Sequence, residues 1–235
     1  MIQRLLLLMI ITSINVQAQN KAISVEELLG NGDPKLYGKG INLRKEAYEC
    51  FVQMQEAAAR EGIVITIASS YRSYESQRKI WERKFKRFTA NGLSPSQAVS
   101  KIVEYSTIPG TSRHHWGTDI DIIDGTKKVK GDVLIQDNYE NGGPYAKLKQ
   151  WMDKNAHKFG YYLVYTNDSQ RKGFNYEPWH YSYAPLSISY LKQYRELAIK
   201  EQLLEYKLLG AKAFTDSFIN SYIDNNILDI NPELL

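Results

Sequence analysis

A chain of 235 residues, 43% of them hydrophobic, is long enough for one well-packed domain with or without an appendage, and too short for two full ones. Lys and Arg number 30 against 26 Asp and Glu, a net charge of +4 with both signs spread along the chain; the lack of a dense cationic block argues against nucleic acid, while an anionic polymer remains compatible. Cys50 is the only cysteine, so no intramolecular disulfide forms and any metal site must be built from His and carboxylate.

Residues 1–18 read as a secretory signal peptide: Arg4 precedes an apolar block from Leu5 to Ile11, and Val16-Gln17-Ala18 approximates a small-x-small cleavage site. The block is shorter than the roughly 18 residues a spanning helix needs, and polar Ser13, Asn15 and Gln17 follow at once. Its removal takes Arg4 and no carboxylate, leaving a net +3. No later apolar run reaches spanning length, so the expectation is an exported protein, periplasmic or extracellular, without a stable membrane span.

From Asn42 to Arg60, Leu43, Ala47, Cys50, Phe51, Met54 and Ala58 recur at three- and four-residue steps, predicting a helix with Asn42 as N-cap and Cys50 on its buried face. Ile63 to Ala68 is a β-branched run typical of a buried strand. Ser73 caps a helix to about Phe88, Asn91-Gly92 breaks the chain, and a second helix spans Ser96 to Tyr105. A Gly-, Ser- and His-rich loop from Pro109 to Gly117 leads into a strand, Thr118 to Ile123, that ends at Asp124-Gly125. Alternation there puts Asp119 and Asp121 on one face and turns Ile120 and Ile122 into the core. A helix from Pro144 to Phe159 closes at Gly160. Strands follow at Tyr161 to Tyr165 and Phe174 to Tyr183, then a helix from Ile188 to Leu209 and a more polar tail.

Only four histidines occur, and three sit in two clusters that also hold carboxylates: Ser112-Arg113-His114-His115-Trp116-Gly117-Thr118-Asp119-Ile120-Asp121 and Glu177-Pro178-Trp179-His180. A catalytic zinc takes three ligands from His, Asp or Glu and leaves a position open for water. On count alone the clusters also fit core or surface histidines; adjacent side chains seldom reach one ion, which sets His115 aside, and His157 suits the end of its helix as a cation beside the dipole.

The spacing within these clusters resembles the VanY-type D-alanyl-D-alanine carboxypeptidases, within the wider LAS-fold group of zinc metallopeptidases. That family carries Ser-x-His-x-x-Gly-x-Ala-x-Asp and, further on, Glu-x-x-His; Ser112, His114, Gly117, Asp121, Glu177 and His180 stand at those positions, and Asp119 replaces the alanine. Ser70-Tyr71-Arg72-Ser73-Tyr74-Glu75-Ser76-Gln77 resembles a third family segment, Tyr-Arg-Ser with a following Gln. The likeness covers roughly residues 42–183 and leaves the tail unexplained.

The resemblance implies that His114, Asp121 and His180 bind Zn2+, that Glu177 is the general base and that Arg72 holds the substrate carbonyl as negative charge develops. Ser73, Gln77 and Ser112 are the substrate-binding candidates: Ser73 doubles as a helix cap, Gln77 lies one turn into that helix where it can face the cleft, and Ser112 either meets a substrate terminus, as the resemblance suggests, or shapes its loop. Asp119 is either a partner to a ligand histidine or a substrate contact. Glu177 and His180 share a face on a helix but not on a strand, and Pro178 resists both, so a bend must turn both side chains into one cleft.

The expected fold is α+β: a small, mainly antiparallel sheet with helices packed against it, a zinc cleft on the sheet and a C-terminal helical extension. The expected division is a signal peptide at 1–18, a zinc peptidase domain at 19–185 and the extension at 186–235. The expected activity is D-alanyl-D-alanine carboxypeptidase action on peptidoglycan stem peptides. The rivals are an endopeptidase of the same fold and a non-catalytic, zinc-stabilised wall-binding module.

Overall fold

A computed structural model describes residues 23–235; the expected signal peptide lies outside them. After a short helix, α1 (Val25–Leu28), the amphipathic helix α2 (Lys45–Arg60) buries Ala47, Phe51, Met54 and Ala58, the stripe its periodicity predicts. Its start corrects the Asn42 expectation. Leu43 exchanges both backbone hydrogen bonds with Tyr37, which diverts the chain from a helix, and Asn42 turns it at φ 52°; the helix begins at Lys45 with no side-chain cap. Cys50 lies half-buried, its Sγ 3.3 Å from the Tyr183 hydroxyl.

Strands β1 (Ile65–Ser69), β2 (Asp119–Asp124), β3 (Tyr161–Leu163) and β4 (His180–Tyr183) form one antiparallel sheet in the order β1-β2-β4-β3. Ile120 and Ile122 point from β2 into a core shared with α2 and α5 (Ala146–Asn155). The helix expected over Pro144 to Phe159 consists of α5 followed by a 3-10 turn, and Gly160 ends it at φ 77°. The strand expected from Phe174 is limited to His180–Tyr183, because residues 174–179 form a loop tied down by Arg171, which donates to the carbonyls of Thr166, Phe174 and Asp229.

Helix α3 (Tyr74–Ala90) starts where Ser73 accepts a hydrogen bond from the Ser76 backbone N–H. Helix α4 (Pro95–Ile102) opens with a reciprocal cap between Ser94 and Gln97. The helix expected over 188–209 is split into α6 (Ala184–Arg195), which leaves β4 without a loop, and α7 (Ile199–Glu205); α8 (Asp216–Tyr222) follows. Residues 186–235 share an apolar cluster with α3, α4 and Trp116. They also brace the loop before His114: the Tyr222 hydroxyl accepts from the Ile108 N–H and meets Thr111, and the Tyr194 hydroxyl donates to the Gly110 carbonyl. Among the described residues, no helix is long and apolar enough to cross a membrane.

Candidate active site

The register of β2 against β4 sets Asp121 opposite His180 and Asp119 opposite Ser182. Since alternate residues share a face, these four side chains stand together on the side of the sheet away from Ile120 and Tyr181. His114 arrives from a 3-10 turn (Arg113–Trp116) whose last residue is followed by Gly117 at φ 69°, a conformation suited to glycine that lets the chain swing into β2. One ligand atom from each of His114, Asp121 and His180 lies within 4.8 Å of the others, and all three residues are buried.

Both imidazoles are anchored through the nitrogen that faces away from this cluster. His114 Nδ1 lies 2.9 Å from the Ser70 carbonyl, which accepts its proton and leaves Nε2 facing Asp121 Oδ2 at 3.4 Å. His180 Nε2 lies 2.9 Å from Asp119 Oδ2, and its Nδ1 faces Glu177 Oε2 at 3.0 Å and Asp121 Oδ1 at 4.0 Å. Glu177 and His180 are joined by the turn Pro178-Trp179, in which the His180 N–H donates to the Glu177 carbonyl. That turn is the bend their spacing requires.

Arg72 donates from Nη1 to Gln77 Oε1 and from Nη2 to Ser69 Oγ, which holds its guanidinium 3.8 Å from Asp121 Oδ2. Gln77 is fully buried, and its amide nitrogen donates to the Thr107 carbonyl. Ser73 is occupied as the cap of α3. Of the three expected substrate contacts, only Ser112 lines the cleft; Ser73 and Gln77 stand back from it, because one is committed to a helix terminus and the other to aiming Arg72. The cleft has a volume of about 490 Å³ and runs outward from Glu177 and Trp179 past Lys84, Thr107 and Ile135.

Two residues beside the ligands had no role from spacing. His115 is buried and bridges segments: its Nδ1 donates to the Arg72 carbonyl, and its Nε2 accepts from the Gly110 N–H. Burial pushes its pKa down to about 3, so it is neutral, and a Cβ on Gly30 would lie 2.5 Å from its ring. Arg113 is buried over the Trp116 ring and binds Asp119 and Ser182. No signal in the sequence separated it from its neighbours, since its partners come from another strand.

Electrostatics and unmet hydrogen bonding both fit a cation. Burial works against the Asp121 charge, but His114, His180 and Arg72 outweigh it and hold the carboxyl below its usual range. Burial works against charge on His180 too, yet its hydrogen bonds to Asp119 and Glu177, with Asp121 nearby, raise its pKa to about 10. Asp121 Oδ1 is buried with no hydrogen-bond partner among the described residues. A buried acceptor left without a donor is costly, and a metal ion that displaces the inner proton of His180 and sits between Asp121 and the two imidazoles would satisfy it.

A profile of the family described as VanY, D-alanyl-D-alanine carboxypeptidase, matches residues 40–186. A D-alanyl-D-alanine carboxypeptidase of Enterococcus faecalis is 28% identical over 168 residues, covering 71% of this chain and 56% of its own length, so the chain spans little more than half of that relative. The solved structure of VanYB in complex with D-alanine-D-alanine has a TM-score of 0.54 at 24% identity, covering 75% of this chain and 91% of the other. A mutant of the vancomycin resistance D,D-pentapeptidase VanY in complex with Zn(II) has a TM-score of 0.53 at 22% identity, covering 78% and 90%. With its three motifs gathered around one cleft and more than half of its length matched by the profile, this chain belongs to the VanY family of D-alanyl-D-alanine carboxypeptidases.

Proposed function

We propose that this protein is an exported, zinc-dependent D-alanyl-D-alanine carboxypeptidase that hydrolyses peptidoglycan stem peptides, with residues 1–18 as its cleaved leader. The observation that carries the reading is the convergence of His114 Nε2, Asp121 and His180 Nδ1, each imidazole already tied down by its outer nitrogen. Family membership and the Zn(II) complex of a fold neighbour support zinc as the ion. When bound, zinc would supply Lewis acidity, lowering the pKa of water and polarising the peptide carbonyl.

The chain's own groups do the rest. Glu177 lines the cleft with its carboxylate beside His180, and it takes a proton from the attacking water and returns it to the departing amine. Arg72, aimed by Ser69 and Gln77, donates to the carbonyl oxygen as that oxygen gains charge; a guanidinium fixed at two nitrogens needs little reorganisation for this task. Gln77 is thus a positioning residue, and Ser112 is the member of the substrate-binding trio that can reach a peptide terminus. Arg72, Arg83 and Lys84 line the same cleft, a cationic wall that suits the carboxylates of a stem peptide.

The deciding experiment is mass analysis of products from a defined pentapeptide muropeptide incubated with the zinc-loaded protein. Release of free D-alanine with a shortened stem is the expected result. Cleavage inside the stem with the terminus intact would make it an endopeptidase, and an intact substrate in the presence of bound zinc would leave a binding module.

A further inference from the structure

Asp119 stands where the family pattern has alanine, and it is among the most completely buried polar residues of the chain. It does not line the cleft, which removes it as a substrate contact. It does not belong to the group of converging ligand atoms either, because the His180 ring lies between it and them.

Every group facing Asp119 is a donor. Its Oδ2 accepts from Arg113 Nε at 3.0 Å and from His180 Nε2 at 2.9 Å. Its Oδ1 accepts from the Thr118 hydroxyl at 2.7 Å and the Ser182 hydroxyl at 2.6 Å. Arg113 Nη2 also donates to Ser182 Oγ at 2.7 Å, closing a ring of charge-assisted bonds beneath β4. An ionised carboxylate only accepts, so the nitrogen of His180 that faces it has to carry a proton. His180 Nδ1 faces Glu177 Oε2 at 3.0 Å and Asp121 Oδ1 at 4.0 Å, so it is the proton on this nitrogen that a metal ion displaces, leaving a neutral imidazole protonated at Nε2 with its lone pair toward Asp121. An alanine would impose no such choice.

We propose that Asp119, fixed by Arg113, Thr118 and Ser182, is a positioning residue that locks His180 in the Nε2–H tautomer and so presents Nδ1 to the metal. This rests on the metallopeptidase reading above. The two ligand histidines are then set by different means: His114 by the backbone carbonyl of Ser70, which no substitution removes, and His180 by a side chain that one substitution does.

The test compares the wild-type protein, Asp119→Asn, Asp119→Ala and the double variant Arg113→Met with Asp119→Ala, which spares the buried guanidinium from losing its carboxylate. Zinc affinity is measured by chelator competition, and the His180 ring is followed by nitrogen-15 NMR of the zinc-loaded protein. The wild type is expected to show a slowly exchanging Nε2 proton. Both variants carrying alanine should bind zinc about 10- to 100-fold more weakly, the double variant while melting close to the wild type in the metal-free state. Asp119→Asn should recover most of the affinity, since its carbonyl can face Arg113 and His180 while its amide donates to the two hydroxyls. Wild-type affinity in the folded double variant would overturn the proposal with the metal reading intact. A zinc-loaded wild-type ring protonated at Nδ1, which could not ligate through that atom, or a wild-type protein that takes up no zinc, would remove both.

Discussion

Residues 119–122 of strand β2 are all buried, yet its two faces are held in opposite ways. On one, Ile120 and Ile122 pack with Tyr181 against Phe51, Met54 and Leu148, a contact stabilised by apolar area removed from water. On the other, Asp119 and Asp121 face Ser182 and His180, where charge is kept out of water only because each group finds a partner or awaits a cation. Burial by itself therefore does not separate core from site. What separates them is the consequence of a deletion: on the apolar face it leaves a cavity, on the polar face an uncompensated charge or a lost ligand.

The sharpest way to break that contrast is to remove the metal. A chelator should abolish D-alanine release and added zinc should restore it, assayed on one stem pentapeptide; activity that survives complete chelation would show that the polar face was never a metal site. Next in size is Glu177→Ala, expected to lower turnover about 10²- to 10⁴-fold with zinc content unchanged by elemental analysis. Turnover near the wild-type value would take the base role away from Glu177.

On the opposite face, Ile120→Ala should destabilise the fold by about 2–5 kcal/mol, read from denaturant unfolding, while the folded fraction keeps one zinc per chain. Loss of the metal from folded Ile120→Ala would mean that the two faces are not independent. The smallest expected effect lies at the outer cleft. Lys84 lines it half-buried, with the Ser106 hydroxyl as its hydrogen-bond partner and no carboxylate within ion-pair distance among the described residues. Lys84→Met should raise KM for a stem peptide by about two- to fivefold and leave kcat alone; an unchanged KM would place the peptide elsewhere.

Residues 186–235 make a second contrast with the motif-bearing part of the chain. Their apolar side chains announce helices, but nothing in their order says that Tyr194 and Tyr222 hydrogen-bond the loop leading to Ser112 and His114. The split between α6 and α7 was likewise invisible to periodicity, since the apolar pattern runs on across the break.

Properties set by near neighbours along the chain were legible from the residues alone. The period of two on β2, the stripe on α2, the Ser73 cap and the Gly160 stop each depend on steric and hydrogen-bonding rules that act within a few residues. The resemblance of the motifs to the family pattern, also read from the residues alone, offered His114, Asp121, Glu177 and His180 as site candidates. Only the folded arrangement decided that Gln77 turns to Arg72 and away from the cleft, that His115 bridges two loops, and that Asp119 lies beneath His180. Each of those contacts joins segments distant in sequence, and their pairing follows from strand register and packing, which no window along the chain contains.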